Sequence, residues 1–131
     1  MPEMTNADVV RRAYRALGEA DIDTLGTLFD ERASWDMPGQ GALSGVARGR
    51  DAVFGQFGRF GEESRGTFKA ELVTVGDADD GRVVALHHSS ASRDGKQLDT
   101  DVCIVFELEN GRIISGREYI YDLHNSDRFW S

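Results

Sequence analysis

Two turn dipeptides, Asp94-Gly95 and Asn110-Gly111, constrain the fold of this 131-residue chain more than any other feature. Each lies between runs in which polar and apolar residues alternate, a pattern that is typical of two-residue type I′ β-hairpins. Both central residues of such a turn need a positive φ, which glycine, asparagine and aspartate adopt at low cost. Two tight turns then fix the pairing of three consecutive strands, because residues can be counted outward from each turn.

Counting outward from these turns predicts a cluster of polar side chains on one face of the sheet. The first turn places His88 opposite Asp101, and the second places Cys103 opposite Glu118. Side chains alternate between the two faces of a strand, so one face should combine a histidine and two carboxylates with apolar neighbours. That combination indicates a functional site. The residues predicted to share this face are Leu86, His88, Asp101, Cys103, Glu118 and Ile120.

The composition indicates one globular domain over residues 1–131, since 40% of the residues are hydrophobic and the length suffices to bury a core. A net charge of −8 disfavours nucleic acid and anionic membranes as partners. No apolar run reaches the ~18 residues of a membrane span, and the first residues lack a signal-peptide pattern. Cys103 is the only cysteine, which fits a reducing compartment, so we expect a cytoplasmic protein.

The hydrophobic periodicity predicts an α+β order of two helices, a short strand, a third helix and four antiparallel strands. Thr5 and Asp8 form a capping-box-like start for the first helix, and Asp21 or Asp23 can cap the second. Residues 40–49 read as a glycine-rich loop. The strands are predicted near 33–37, 67–76, 82–92, 97–109 and 112–122, with the third helix from Asp51 and an aromatic tail, 123–131, docked on the domain.

The third helix carries glycine at every third position, at Gly55, Gly58 and Gly61. Each glycine weakens a helix by ~1 kcal/mol relative to alanine. This pattern predicts close packing of the helix against another element.

Six short stretches carry a resemblance to a known superfamily: residues 12–17 (RAYRAL), 21–25 (DIDTL), 28–29 (LF), 33–39 (ASWDMPG), 45–51 (GVARGRD) and 106–113 (FELENGRI). They are similar to the nuclear transport factor 2-like superfamily, and most of all to its small SnoaL-like members. The resemblance covers nearly the whole chain. It implies a cone-shaped, curved antiparallel or mixed sheet closed by three N-terminal helices. The superfamily includes ketosteroid isomerases, polyketide cyclases, limonene epoxide hydrolases and scytalone dehydratases, so its motifs identify the fold better than the reaction.

The catalytic residues of ketosteroid isomerases, an aspartate base with a tyrosine and a protonated aspartate, do not carry over to this chain. The position of the base falls on Met37, one residue from Asp36. The protonated aspartate falls on Cys103, and the tyrosine falls on Ala13, beside Tyr14. Steroid isomerisation is therefore not predicted.

The resemblance to SnoaL-like cyclases implies a histidine and an aspartate on adjacent strands, and His88 with Asp101 fits that pair. Asp101 is predicted as the base, His88 as the group that orients it, and Asp36 as a further catalytic candidate. The leading hypothesis is acid/base chemistry on a small apolar metabolite (aldol cyclisation, isomerisation or dehydration) without a cofactor or metal. The predicted substrate-binding residues are Tyr14, Trp35, Met37, Leu86, Cys103, Glu118 and Ile120.

Two alternatives stay open at this point. A non-catalytic module for small-molecule binding or dimerisation would bind a ligand without turning it over. Water addition to an epoxide would resemble the limonene epoxide hydrolases, whose Asp-Arg-Asp set is incomplete here because the predicted face offers Asp101 and Glu118 but no arginine.

The expected partners are a small apolar or aromatic metabolite inside the cone and a second copy of the chain. The superfamily resemblance implies a homodimer through the outer face of the sheet, and neither nucleic acid nor a membrane is expected. The residues predicted on that outer face are His87, Val102, Ile104, Phe106 and Tyr119.

Overall fold

The computed structural model describes residues 4–131 and has the predicted α+β order, with one additional strand and one additional helix. The extra strand lies within the predicted loop, and the extra helix forms in the C-terminal tail. No helix in the described part of the chain is long and apolar enough to cross a membrane. The elements are α1 (Asn6–Gly18), α2 (Ile22–Leu28), β1 (Phe29–Met37), β2 (Gly45–Arg48), α3 (Arg50–Glu63), β3 (Lys69–Asp77), β4 (Val83–Arg93), β5 (Lys96–Glu109), β6 (Arg112–Ile120) and α4 (Leu123–Phe129).

All six strands form one mixed sheet in the order β2-β1-β6-β5-β4-β3. β1 and β6 run parallel, and the other neighbouring strands run antiparallel. The three N-terminal helices contribute to one hydrophobic core with the inner face of this sheet. The predicted fold class, a mixed sheet closed by three N-terminal helices, is confirmed.

The helix starts follow from local hydrogen bonds that the sequence predicts. The backbone N–H of Asp8 donates to Thr5 Oγ1 and the N–H of Thr5 donates to Asp8 Oδ2, each at 3.1 Å, which completes the capping box of α1. The backbone N–H of Thr24 donates to Asp21 Oδ1 at 3.1 Å at the start of α2. The glycines of α3 behave differently from the prediction. A Cβ atom added at any of these three positions would meet nothing within 4 Å, so no element packs closely against them.

A second hydrophobic cluster holds the C-terminal tail, as predicted. Phe129 and Trp130 are almost fully buried. The Trp130 ring packs edge-on against Phe60 of α3, with the ring centroids 5.3 Å apart. The tail is thereby part of the core rather than a surface extension.

Arg93, at the end of β4, fastens this tail by hydrogen bonds and ring contacts. Its guanidinium donates to the carbonyl oxygens of Phe129 at 3.1 Å and Ser131 at 2.7 Å. It also pairs with the carboxylate of Glu63 at 3.1 Å, and its side chain is only 13% exposed. The guanidinium carbon lies 5.7 Å from the ring centroid of Phe129 and 5.9 Å from that of Trp130. One largely shielded guanidinium thus joins the sheet, α3 and the tail.

We expect Arg93→Met to lower the free energy of unfolding by about 2 kcal/mol, because it leaves the carbonyl oxygens of Phe129 and Ser131 and the half-buried carboxylate of Glu63 without their donor. Urea denaturation followed by circular dichroism measures this loss. Arg11→Met is the matched control: Arg11 forms an exposed pair with Asp8, and such pairs contribute about 0–1 kcal/mol. Equal losses in the two variants would contradict the role assigned to Arg93.

Both predicted hairpin turns form. Asp94 and Gly95 have φ of 48° and 78°, and Asn110 and Gly111 have φ of 52° and 76°. These values are those of type I′ turns. The first hairpin also has the predicted register, which places His88 opposite Asp101.

The second hairpin departs from the prediction at a β-bulge in β6. The pairing next to the turn is as predicted, but Ile114 is an extra residue without an opposite partner. Cys103 therefore faces Tyr119, and the predicted pairing of Cys103 with Glu118 is wrong. A slip of one residue transfers each later side chain of β6 to the opposite face of the sheet.

The prediction of which face of the sheet the helices cover was also wrong. The helices cover the face of β4 that carries Val83, Ala85 and His87, so His88 and Asp101 lie on the outer face. Glu118 and Ile120 reach the inner face because the bulge reverses their side. The residues of the predicted cluster that lie on the outer face are Leu86, His88, Asp101 and Cys103.

Candidate active site

The inner face of the sheet and helices α1, α2 and α3 enclose a cavity of about 190 Å³. An engineered apolar cavity of about 150 Å³ holds benzene, so this volume suits a small ring compound. The wall is mostly apolar, and the polar groups on it come from a glutamate, a tryptophan, a tyrosine and a histidine. The tyrosine, tryptophan and phenylalanine side chains that line the cavity are Tyr14, Phe29, Trp35, Phe57, Phe60, Phe68 and Phe106.

The glutamate is Glu118, which projects from β6 and is 8% exposed. The indole Nε1–H of Trp35 donates to Glu118 Oε2 at 2.7 Å. Within residues 4–131 no second donor lies within hydrogen-bond distance of this carboxyl group. Burial raises the pKa of Glu118 to about 7, against a smaller lowering by the Trp35 hydrogen bond. Near neutral pH the group can therefore both accept and donate a proton.

A second polar group is formed by Tyr14 of α1 and His87 of β4. Tyr14 Oη lies 2.6 Å from His87 Nδ1, and His87 Nε2 lies 2.9 Å from Ser89 Oγ. Burial lowers the pKa of His87 to about 4. Burial, and then the nearby charge of Glu118, raises the pKa of Tyr14. Both side chains are thus neutral at pH 7.

The neutral imidazole permits two hydrogen-bond arrangements. In one, Tyr14 donates to Nδ1 and His87 Nε2–H donates to Ser89. In the other, Ser89 donates to Nε2 and His87 Nδ1–H donates to the Tyr14 oxygen. The second arrangement leaves the Tyr14 hydroxyl hydrogen free to donate to a ligand in the cavity.

The position of Trp35 depends on a glycine in the neighbouring strand. Trp35 of β1 lies opposite Gly116 of β6 in the parallel register. A Cβ atom at Gly116 would overlap the six-membered ring of the indole, so only glycine leaves room for it. The Trp35 ring is held further by edge-on contacts with Phe57 and Phe106, at centroid distances of 4.9 and 5.7 Å. Gly116 thereby positions the donor to Glu118.

A profile of the SnoaL-like domain matches residues 10–116, which cover most of the described helices and strands. This chain belongs to the SnoaL-like family.

Relatives of this SnoaL-like chain agree with the assignment. An uncharacterized protein of Mycobacterium tuberculosis is 33% identical over 131 residues, with 100% of both chains covered. Bal32a, from a soil-derived mobile gene cassette, is 53% identical, with 96% of each chain covered and a TM-score of 0.94. A nuclear transport factor 2-like protein of unknown function from Burkholderia pseudomallei is 19% identical, with 98% of this chain and 99% of that chain covered and a TM-score of 0.80. At 19% identity the Burkholderia protein shows the fold alone. The family profile and these structures together confirm the predicted family and fold.

The structure divides the predicted site residues of this SnoaL-like chain between three places. Tyr14, Trp35 and Glu118 line the aromatic-walled cavity between the sheet and the helices. Met37 and Ile120 line a much smaller neighbouring cavity, which Glu118 also borders. The residues that lie away from both cavities are Asp36, Leu86, His88, Asp101 and Cys103.

His87 is the cavity residue that the sequence reasoning assigned to the wrong face. The available signal was the run of small residues that alternate with it, Ala85, Ser89 and Ala91. Small side chains on one face of a strand leave room for helices or a ligand to lie against it, so this run favours the His87 face as the inner one. The prediction instead chose the opposite face because the hairpin register placed His88 opposite Asp101 there.

The predicted pair of His88 and Asp101 exists, but on the outer face. His88 Nδ1 lies 2.9 Å from Asp101 Oδ1, and His88 Nε2 lies 2.6 Å from Asp99 Oδ1. The hydrogen bond to Asp101, more than any other contact, raises the pKa of His88. Asp36 is likewise outside the cavity, where it pairs with Arg117 at 3.3 Å. Each of these carboxylates on the outer face thus has a partner within the chain and needs no bound substrate to explain its position.

Asp101→Asn is therefore expected to lower the pKa of His88 and to leave the cavity unchanged. Removing the carboxylate removes the largest contribution that favours the charged imidazole. An NMR titration of the histidine ring protons measures this shift. In the same titration His87 should stay neutral down to about pH 4 in both proteins. Removing the Asp101 charge can only lower the pKa of His87 further, because that charge raises it. Protonation of His87 near pH 7 in either protein would contradict its burial at the cavity.

Proposed function

We propose that this chain is an enzyme that moves a proton on a small apolar metabolite held in the cavity. The observation that carries the proposal is Glu118, a buried carboxyl group with a pKa of about 7 that faces the same cavity as a neutral Tyr14–His87 pair. A base poised near the working pH and a neutral hydrogen-bond donor are the two groups that enolisation of a carbonyl compound requires.

In the proposed reaction, the Glu118 carboxylate takes a proton from the carbon next to a carbonyl group. The electron pair of the broken C–H bond forms a C=C bond, and negative charge develops on the carbonyl oxygen. The Tyr14 hydroxyl donates a hydrogen bond to that oxygen while His87 Nδ1–H donates to Tyr14. Protonated Glu118 then returns the proton to another carbon of the conjugated system. Alternatively, the enolate carbon attacks a second carbonyl of the same molecule, the first C=O re-forms, and the oxygen of the attacked carbonyl takes the proton from Glu118.

These two outcomes are isomerisation and aldol cyclisation. One solved structure of the same fold, from Jannaschia, is of a protein assigned as a SnoaL-like polyketide cyclase, with 15% identity to this chain. We place cyclisation first among the reactions and keep isomerisation and dehydration as the related ones. The chemistry consists of proton transfer and hydrogen-bond donation, so the proposal invokes no cofactor. We propose a cytoplasmic location, where the single thiol of Cys103 would stay reduced.

Two alternative functions would require different side chains in the cavity. Epoxide hydrolysis of the limonene epoxide hydrolase type would need two carboxylates and an arginine. Within residues 4–131, Glu118 is the one carboxylate on the aromatic-walled cavity, and no arginine lines it. Asp36 and Arg117 border a separate pocket beside Glu118, where they pair with each other at 3.3 Å. A binding module without catalysis would not need a carboxyl group whose pKa lies near neutrality.

Deuterium exchange tests the proposal directly. 1-Indanone and cyclohex-2-enone are small ketones with exchangeable C–H bonds next to the carbonyl, and proton NMR in D₂O follows the loss of each signal. We expect the protein to accelerate exchange above the buffer rate. Binding of these ketones with no acceleration would contradict the enzyme proposal and favour the binding module.

We further propose a homodimer through the outer face of the sheet, on a different set of residues from the one first predicted. The apolar side chains exposed there include Val84 and Tyr119. Exposed apolar surface of this kind is typical of an interface. Of the residues predicted for the interface, Tyr119 is on the outer face, and the ones on the inner face are His87, Val102, Ile104 and Phe106.

Light scattering is expected to give twice the 14.5 kDa mass of one chain, and Tyr119→Glu is expected to shift the mass toward one chain. The substitution would place a charge in the apolar interface without a partner. Ile22→Glu is the matched control, because Ile22 is equally exposed but lies on α2. A single-chain mass for the unmodified protein would overturn the dimer proposal.

A further inference from the structure

We infer that the ligand of the cavity is an uncharged, planar compound of one or two fused rings with a carbonyl group, and that it reaches the cavity beside Gly61. The inference rests on the proposed function for the carbonyl group alone. The size, shape, charge and path of the ligand are argued from the cavity itself.

The size limit follows from the volume. About 190 Å³ is little more than the roughly 150 Å³ that encloses one benzene ring in an apolar protein cavity. A ring with substituents or two small fused rings fits this space. Three or four fused rings exceed it, because a close-packed interior does not expand by the volume of a ring without displaced side chains.

The shape preference follows from the arrangement of the aromatic walls. Phe57 stands at 87° to Trp35 and Phe106 at 64° to it, so ring faces and ring edges border the same space. Aromatic rings attract one another in edge-to-face and offset geometries, beyond the effect of the area buried. A flat ligand can use both kinds of surface at once, whereas a puckered saturated ring makes fewer close contacts.

The charge preference follows from the ionisable groups at the cavity. Within residues 4–131 no lysine or arginine lines it, and its carboxyl group, Glu118, is buried with a single donor. An anionic ligand would meet repulsion from Glu118 without a cation to offset its desolvation. A neutral ligand avoids both penalties and still reaches the Tyr14 hydroxyl.

The partly exposed lining residues show where the cavity opens to solvent. The lining residues of β5 and β6 are buried, whereas six lining residues of α1, α3 and the start of β3 are half-buried: Tyr14, Leu17, Phe57, Gly61, Phe68 and Ala70. The path to solvent therefore runs between these three elements. Gly61 is the one position at this opening without a side chain, and a Cβ atom there would meet nothing within 4 Å.

Three matched ketones test the size and shape of the ligand. 1-Indanone has two rings and an aromatic plane, hydrindan-1-one has the same skeleton fully saturated, and 9-fluorenone has three rings. Binding is read from the indole N–H signals in NMR spectra, where Trp35 in the cavity should shift and Trp130 in the tail should not. We expect 1-indanone to bind about tenfold more tightly than hydrindan-1-one, and 9-fluorenone not to shift the Trp35 signal. Equal affinities for the two skeletons, or a Trp35 shift with 9-fluorenone, would overturn the inference.

Substitutions in α3 test the path. Gly61→Phe fills the opening, and Gly58→Phe, one helical turn earlier and exposed, is the matched control in the same helix. We expect Gly61→Phe to weaken 1-indanone binding at least tenfold and Gly58→Phe to leave it unchanged, with both proteins folded by circular dichroism. Equal binding by the two variants would overturn the assigned path. Tight binding of 1-indanone without deuterium exchange would contradict the proposed enzyme and leave the ligand class intact.

Discussion

Glu118→Gln is expected to reduce deuterium exchange into a bound ketone by about 10³-fold while the fold is retained. Glutamine keeps the shape of the side chain, and its amide oxygen can still accept the Trp35 hydrogen bond. It cannot take a proton from carbon. The loss of exchange with retained binding would therefore isolate proton transfer from every other contribution of this position. Exchange at the unmodified rate in the variant would show that another group is the base.

The pH dependence of the unmodified protein gives an independent check on Glu118. The carboxylate form is the base, so the exchange rate should rise with pH to half its maximum near pH 7 and then level off. Tyr14 keeps its proton over this range because its pKa is raised, so the rate should not fall again near pH 10. A rate that is constant between pH 5 and pH 9, beyond the contribution of the buffer, would contradict the assignment.

The free energy of unfolding should also depend on pH because of Glu118, and the direction of that dependence is fixed. The pKa of Glu118 is higher in the folded state, about 7 against 4.5, so its contribution to stability is present below pH 4.5 and is lost as pH rises through 7. The loss is about 3 kcal/mol at 1.36 kcal/mol per pKa unit. Glu118→Gln should therefore be more stable than the unmodified protein at pH 8, by roughly that amount, and similar to it at pH 4.5.

His87 has the opposite effect on stability. Its pKa is lower in the folded state, about 4 against 6.5, so its contribution is present above pH 6.5 and is lost as pH falls through 4. Between pH 4.5 and pH 6.5 the two contributions partly cancel. Urea denaturation of the unmodified protein and of Glu118→Gln, compared pH by pH, separates them because exposed groups cancel in the difference. A difference that does not change with pH would contradict the burial of Glu118.

Gly116→Ala is expected to lower the free energy of unfolding by about 3 kcal/mol. The added methyl group would overlap the Trp35 ring, and the adjacent Phe57 and Phe106 leave the ring little room to move away. A displaced indole would also withdraw its N–H from Glu118, so exchange activity should fall with stability. Urea denaturation and the ketone exchange assay measure the two losses.

Gly58→Ala is the control for this substitution. An added Cβ there meets no neighbour, so alanine should stabilise α3 by about 1 kcal/mol. Trp35→Phe in the Gly116→Ala background should restore part of the stability, because the smaller ring relieves the overlap, without restoring the donor to Glu118. Full stability of Gly116→Ala alone would show that the contact with Trp35 does not limit this position.

The sequence predicts the fold well because its signals are local. Thr5 with Asp8, Asp21, and the two turn dipeptides each act within a few residues, and the structure confirms them. The Ile114 bulge has no such signal. Ile113 and Ile114 are both apolar, so the alternation of the strand does not reveal which of them is the extra residue. Because this extra residue was not predicted, every later residue of β6 was assigned to the wrong face of the sheet.

The hydrophobic pattern alone does not distinguish the two faces of β4, for a related reason. Both faces carry apolar residues, with Val83 and Ala85 on one and Val84 and Leu86 on the other. Which face is covered depends on helices that are distant in the sequence. Glu118 was placed on the inner face only because the wrong face and the missed bulge compensated each other. Tyr14 was placed correctly because it lies on the apolar stripe of its own helix.

The most direct test compares exchange of 1-indanone by the unmodified protein, by Glu118→Gln and by Asp101→Asn under one set of conditions. The first carboxylate lies in the cavity and the second lies on the outer face of the sheet. If the cavity is the active site, exchange is lost in Glu118→Gln and kept in Asp101→Asn. Exchange that is kept in Glu118→Gln and lost in Asp101→Asn would place the chemistry on the outer face and contradict this account.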